Sequence, residues 1–216
     1  VTGFPGAAAG AELADALNAE LDEASPHRFA PTTTRRRGPV ALDGDRSRVT
    51  VLTGNDAYVI TFLKDAWAWA HGATQDKSAL VRAAHAWLEG TGLEEMAARW
   101  PFVAFSELQS AYERGDERET QWRIVRHSDS TANSTAYRDV VELAAGNAVI
   151  RRFFPELGHG FAVRPHAFTR DILASVTVDR PGRYTFRVPG REELDVEGDG
   201  PAVVAVLAEF LNGLEG

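Results

Sequence analysis

The sequence predicts an α+β fold with two antiparallel sheet regions, each followed by a packing helix, and a helical insert between them. Three observations point there. Runs with apolar residues at every second position gather in two places, residues 48–71 and 161–197. Each gathering is followed by a capped amphipathic helix, and the stretch between them reads as short helices. The parts are then residues 1–38, an N-terminal helix and linker; 39–92, a first strand-strand-strand-helix unit; 93–158, a helical middle; and 159–216, a second unit of strands and helix, together one compact domain.

Leu13, Leu17 and Leu21 lie four apart with acids between them, an amphipathic helix over 11–21. Pro26, Pro31 and the run Thr32-Thr33-Thr34-Arg35-Arg36-Arg37-Gly38 mark the loop after it. Val49 and Val51 alternate in a strand over 48–53, Gly54-Asn55-Asp56 turns the chain, and Tyr58 to Leu63 is aromatic and β-branched. Over 65–71 strict alternation places Trp67, Trp69 and His71 on one face and Ala66, Ala68 and Ala70 on the other. A helix runs from about Asp76 to Glu89, stopped by Gly90 and Gly92.

The middle is helical in pieces. Leu93 to Trp100 ends at Pro101. The capping box Ser106-Glu107-Leu108-Gln109 opens a helix that Gly115 closes, and Asp116 with Glu119 repeats that signature. Tyr137, Val140, Val141 and Ala144 form another helical face, and Val149, Ile150, Phe153 and Phe154 pack a last short helix before Pro155. Strands return at 161–168, 171–178, 183–188 and 192–197, with Arg180-Pro181-Gly182 a hairpin turn. A helix from Pro201 to Leu211, capped by Asp199 or Gly200, follows.

The two long capped helices echo each other. Leu80, Val81, Ala84, Trp87 and Leu88 recur at one constant offset as Val203, Val204, Leu207, Phe210 and Leu211, and Asp76 and Gly90 as Asp199 and Gly213. An internal duplication accounts for this. So does the pattern common to any capped three-turn amphipathic helix, and the strands do not align well.

Composition excludes more than it proposes. There is no cysteine, hence no disulfide scaffold, thiol nucleophile, iron–sulfur cluster or cysteine-ligated zinc. No apolar run approaches the ~20 residues of a bilayer span and no signal pattern opens the sequence, so a cytoplasmic location without a membrane partner is expected. The net charge of −8 argues against a general grip on nucleic acid. From Gly190 onward Arg191 is the lone base against Glu192, Glu193, Asp195, Glu197, Asp199, Glu209 and Glu215. A solvated edge strand and helix face produces such a run, and so does an acidic surface for a basic partner.

Candidate chemistry gathers in His159-Gly160-Phe161-Ala162-Val163-Arg164-Pro165-His166. Histidine serves acid–base catalysis near neutral pH, and arginine binds carboxylate or phosphate in two bonds. The two histidines have no metal-ligand spacing, so neither a metal nor another cofactor is expected. A hydrogen-bonded structural role is the plain alternative. Trp67, Trp69 and His71 could wall a pocket for an aromatic or peptide ligand, or belong to the core with the alanines facing a helix; His71, at the strand end, is the most reachable. Arg99-Trp100-Pro101-Phe102 joins two helices, and Arg35-Arg36-Arg37 could bind phosphate, an acidic peptide or the chain's own acidic end. There is no glycine-rich phosphate loop, dinucleotide fingerprint, nucleophile elbow or zinc-protease helix.

Several short motifs carry a family likeness: Trp87-Leu88-Glu89-Gly90 with Gly92-Leu93, Ala98-Arg99-Trp100-Pro101-Phe102-Val103, and Phe153-Phe154-Pro155-Glu156-Leu157-Gly158-His159-Gly160. With Gly72-Ala73-Thr74 and Gly182-Arg183-Tyr184, they make residues 58–188 similar to a domain-of-unknown-function family, common in high-GC bacteria, whose members are labelled natural product biosynthesis proteins. The resemblance brings a biosynthetic context but no reaction, cofactor or catalytic residue. Its motif positions here are Arg99, Trp100, Pro101, Phe102, Pro155, His159 and Gly160. After His159 this sequence departs from the family's serine, aromatic and tryptophan residues, with Arg164, Pro165, His166, Arg170 and Asp171 in their place. That favours a more anionic ligand, or loss of the ancestral activity.

The resulting expectation is an accessory protein that binds a peptide or small-molecule intermediate in a cleft near His159, through Arg164, His71, Trp69, Trp67 and Arg99, with a pathway enzyme as a further partner. One alternative is a cofactor-free enzyme with His159 or His166 as general base and Arg164 as anion clamp. The other is a non-catalytic interaction module using the acidic C-terminal surface.

Overall fold

The α+β reading holds, with each antiparallel sheet at the centre of its own unit. In a computed structural model the described residues are 5–32, 39–54, 56–129, 131 and 134–214. The chain divides into residues 1–113 and 114–216, so the boundary falls inside the 93–158 stretch expected as one helical middle. The sheet of each unit buries its own apolar cluster.

The first unit runs α1 (Pro5–Asn18), β1 (Ala30–Pro31), β2 (Val40–Asp43), β3 (Ser47–Gly54), β4 (Ala57–Lys64), β5 (Trp67–Thr74), α2 (Lys77–Leu88), α3 (Leu93–Arg99), β6 (Val103–Ala104) and α4 (Glu107–Arg114). Every strand pairs antiparallel with its neighbour in sequence, giving the order β1-β2-β3-β4-β5-β6. Helix α2 packs on β3 and β4, where Val49, Val51, Ile60 and Phe62 are wholly buried. Burying each such side chain contributes roughly 1.5–3 kcal/mol. The ends of α2 are set by sequence. The Asp76 carboxylate accepts from the Ala79 N–H at 2.8 Å, and Gly90, at φ +89°, lets Thr91 N–H reach back to the Ala86 carbonyl at 3.0 Å.

Strand β5 departs from strict alternation. Phe62 pairs with Ala70 and Leu63 with Ala68, so Trp69 is an extra residue, a β-bulge. Trp69 and Ala70 are both buried, and from there the parity reverses, leaving His71 exposed on the opposite face. The expected stripe of Trp67, Trp69 and His71 therefore breaks at its third member. One step on, Gly72 admits the chain that returns from α3. A Cβ there would lie 2.4 Å from the Phe102 carbonyl oxygen, where β6 pairs with β5. The capping box before α4 forms as read, with Ser106 N–H donating to Gln109 Oε1 and Gln109 N–H to Ser106 Oγ.

The second unit runs α5 (Glu117–His127), α6 (Thr135–Gly146), a 3-10 turn (Ile150–Arg152), β7 (Phe154–Leu157), β8 (Phe161–Arg164), β9 (Ala174–Arg180), β10 (Arg183–Arg187), a second 3-10 turn (Glu192–Leu194), β11 (Val196–Gly198) and α7 (Gly200–Gly213). The sheet order is β11-β10-β9-β8-β7, again a meander. Trp122 anchors this core, its indole N–H donating to the Phe153 carbonyl at 3.2 Å and its ring tilted against Phe161.

Several expectations fail here: the strand expected over 192–197 is a 3-10 turn at Glu192–Leu194 followed by the short β11, and three others have identifiable reasons. The short helix through Phe154 is instead a 3-10 turn and the edge strand β7, where Pro155 is tolerated because an edge needs no donor on that side. The strand expected over 161–168 ends at Arg164, just before Pro165. Asp116 precedes α5 but makes no side-chain cap, its carboxylate pairing with Arg114 at 3.3 Å. Among the described residues no helix is long and apolar enough to cross a membrane.

Candidate functional site

The residues singled out in the sequence are divided between the two units. In the second unit His159 is exposed at the turn between β7 and β8, where its carbonyl accepts from the Tyr137 hydroxyl at 3.1 Å. Gly160 is needed there because a Cβ would meet the Val176 carbonyl at 2.9 Å. Arg164 stands at the other end of β8, roughly 16 Å further along at ~3.3 Å per residue. Its guanidinium is already engaged, donating to the Thr169 carbonyl at 2.9 Å and pairing with Glu156. His166 is exposed, and its Nδ1 accepts from the Phe168 N–H at 3.2 Å. A histidine base next to an arginine clamp, as the enzyme reading requires, is not assembled by His159 and Arg164. Arg164 and His166 instead organise the loop between β8 and β9.

Part of the acidic C-terminal run is engaged within its own unit. Arg183 pairs with Glu197 and Arg187 with Asp195, both at 3.7 Å, and Arg191 with Glu193 at 3.3 Å. Asp199 caps α7 through the Ala202 N–H at 2.9 Å. These exposed pairs contribute little to stability. Glu215 and Arg35-Arg36-Arg37 lie outside the described residues.

In the first unit Trp69 belongs to the core at 6% exposed, its ring 5.7 Å from Tyr112 and 6.5 Å from Trp87. Trp67 packs, partly buried, against the same cluster. The pair is core rather than pocket wall. Arg99 and its motif neighbour Trp100 border a cavity.

That cavity, about 330 Å³, opens between the loop after α1, the outward side of α2 and the end of α3. The loop is built to stand as a wall. Asn18 closes its base through two bonds to Phe29, donating to the carbonyl at 2.9 Å and accepting the N–H at 2.7 Å. Arg28 threads its inside, donating to the carbonyls of Asp22, Glu23 and His27. Glu20 ties the loop to the start of α2, pairing with Lys77 at 3.0 Å and accepting from Ser78. Those partners, the Ser78 hydroxyl first, hold the Glu20 carboxyl below the usual carboxylate range.

Opposite the loop, α2 presents Val81, Arg82, His85, Ala86 and Glu89, and α3 contributes Arg99 and Trp100. Val81 and Ala86 are buried and Trp100 half-buried, giving an apolar floor beneath a charged rim. His85 Nδ1 lies 3.3 Å from Glu89 Oε1 and its ring stands edge-on to His27, centroids 6.2 Å apart. Arg99 pairs with Glu95 at 2.5 Å, one helical turn back. Arg82 makes neither an ion pair nor a hydrogen bond among the described residues.

Arg82, His85 and Glu89 were not singled out in the sequence because a polar stripe at i, i+3 and i+7 reads as a solvated helix face. The internal echo held the missing signal. At the matching register of α7 stand Ala205, Ala208 and Asn212. In the second unit a cleft lined by Asp139, Glu142, Leu143, Tyr184 and Asp199 is acidic, and two of its acids are spoken for: Glu142 pairs with Arg126 at 2.6 Å and Asp199 caps α7. Burial, and then the nearby Asp139 charge, raise the Tyr184 phenol above its ordinary value. Among the described residues no group of three or more His, Asp or Glu could hold a metal ion. Comparison with protein-family models, with curated proteins and with solved structures finds no match to this chain.

Proposed function

We propose that this protein is a binding protein of a natural-product pathway, holding a small-molecule or peptide intermediate in the first-unit cleft rather than near His159. The observation that carries the proposal is a coincidence of two signals. The cleft is bordered by Arg99 and Trp100, two positions of the family-like motif, and by charges on α2 that the equivalent helix of the second unit does without. The biosynthetic context rests on that motif resemblance. The cavity's volume lies at the low end of the roughly 300–1,000 Å³ usual for small-molecule sites, which suits a compact intermediate or one end of a peptide.

The test is residue-resolved binding. Amide and methyl NMR of the full chain against a panel of small aromatic and aliphatic acids, amines and amides is expected to move Val81, His85, Ala86 and Trp100. Shifts centred on His159 to Arg164 would return the site to the second unit. No saturable shift in either place would sink the proposal.

A further inference from the structure

We infer that the occupant of this cleft is a small organic monoanion, an apolar or aromatic body bearing one carboxylate, with Arg82 as its anchor; the inference rests on the cleft being the binding site.

The charged groups around the cavity differ in what they already hold. Every acid on its rim has an internal partner: Glu20 with Lys77 and Ser78, Asp22 with the Ala24 N–H at 3.0 Å, and Glu89 with His85. Of the two arginines, Arg99 holds Glu95, while Arg82 makes no ion pair or hydrogen bond among the described residues and bears on Glu20 through its charge. The rim cation left to bind a ligand is therefore the Arg82 guanidinium, whose fork of N–H donors fits a carboxylate. Three neighbouring carboxylates penalise a dianion such as a phosphate monoester, which selects a single negative charge. The rest of the ligand is set by the floor. Leu21, Val81, Ala86 and the Trp100 ring offer apolar contact, so the body attached to the carboxylate is hydrocarbon or aromatic.

A matched pair of probes tests this. Phenylacetate and phenylacetamide differ in charge and hardly in shape, and N-acetylphenylalanine carries the same carboxylate on a peptide end. All three are titrated into the full chain, wild type and Arg82→Gln, and followed by NMR. Phenylacetate is expected to bind about tenfold tighter than phenylacetamide, because a charged acceptor strengthens the hydrogen bonds. Arg82→Gln is expected to erase that preference while leaving phenylacetamide unchanged. Cleft shifts from acid and amide with equal affinity overturn the anion inference and leave the cleft as the binding site. A preference that survives in Arg82→Gln overturns the role given to Arg82. Absence of cleft shifts from every probe overturns both readings. If N-acetylphenylalanine binds tighter than phenylacetate, the carboxylate is that of a peptide end; the reverse order identifies a free acid.

Discussion

The two units run through the same series of elements and use it differently. Helix α1, strands β1 to β5 and helix α2 match α6, β7 to β11 and α7: a helix, a five-strand antiparallel meander and an Asp-capped helix. The caps are alike to 0.1 Å, Asp76 accepting from Ala79 at 2.8 Å and Asp199 from Ala202 at 2.9 Å. Leu80 and Val81 are buried, as Val203 and Val204 are. The difference lies beside that helix. In the second unit α7 packs on α6 as well as on β10 and β11, whereas in the first α2 packs on β3 and β4 and α1 on β1 and β2. Between α2 and the loop after α1 the first unit leaves a cavity and rims it with charge. The second unit satisfies the same fold with Ala205 and Ala208 at the positions of Arg82 and His85, so folding alone does not call for those charges.

The comparison can be broken most forcefully at the apolar register. Trp87 is 3% exposed and donates to the Leu63 carbonyl at 3.0 Å, while its counterpart Phe210 is only partly buried. Trp87→Ala is expected to cost about 4 kcal/mol and Phe210→Ala about 2 kcal/mol in urea denaturation. Equal losses would mean that the two helices share less than their register suggests. The next largest effect is expected at Gly72→Ala, about 3 kcal/mol or somewhat less, since the new Cβ collides with backbone at Phe102. Unchanged hydrogen-exchange protection of Val103 would show that the return strand has room to yield. Removing the caps is a finer probe. Asp76→Ala and Asp199→Ala should each cost about 1 kcal/mol, and a marked inequality between them would dissolve the equivalence of the two helix starts.

The smallest effect is the most specific to the first unit. Because the Glu20 carboxyl is held below the usual carboxylate range when folded, its contribution to anchoring the loop is fully present above that range. It is lost as pH falls through the lowered value. Amide exchange in residues 19–29 should therefore accelerate on acidification, and Glu20→Gln should flatten the response. A loop whose exchange ignores both pH and the substitution would have another anchor.

Local signals were legible. The ends of α2, the box before α4 and the hairpin at Gly182 follow from short-range chemistry, and the structure places them where the sequence does. Non-local pairing was not. Strands β1 and β6 have two residues each and exist because a neighbouring strand offers partners. Strand β7 was hidden by Phe153-Phe154-Pro155, which reads as a packed helix end unless its edge position is known. The site was less legible still. One wall lies at residues 20–25 and the other at 81–89, and no spacing rule joins segments so far apart. Arg99 came into view only through its motif, while Arg164 attracted attention through its histidine neighbours and turned out to be a loop fastener.

The bulge at Trp69 has a consequence for how this core came by its largest side chains. Take Trp69 out of β5 and nothing else changes phase: Trp67 faces in, Ala68 out, Ala70 in, His71 out, and the pairings of Ala68 with Leu63 and Ala70 with Phe62 already run past the gap. In a flat ladder, one added residue would turn half of the strand inside out. Here the added residue is absorbed where it stands, so a sheet can enlarge its interior by insertion, without exchanging a residue or shifting a register. The first unit holds a core indole that the pairing of its meander passes over.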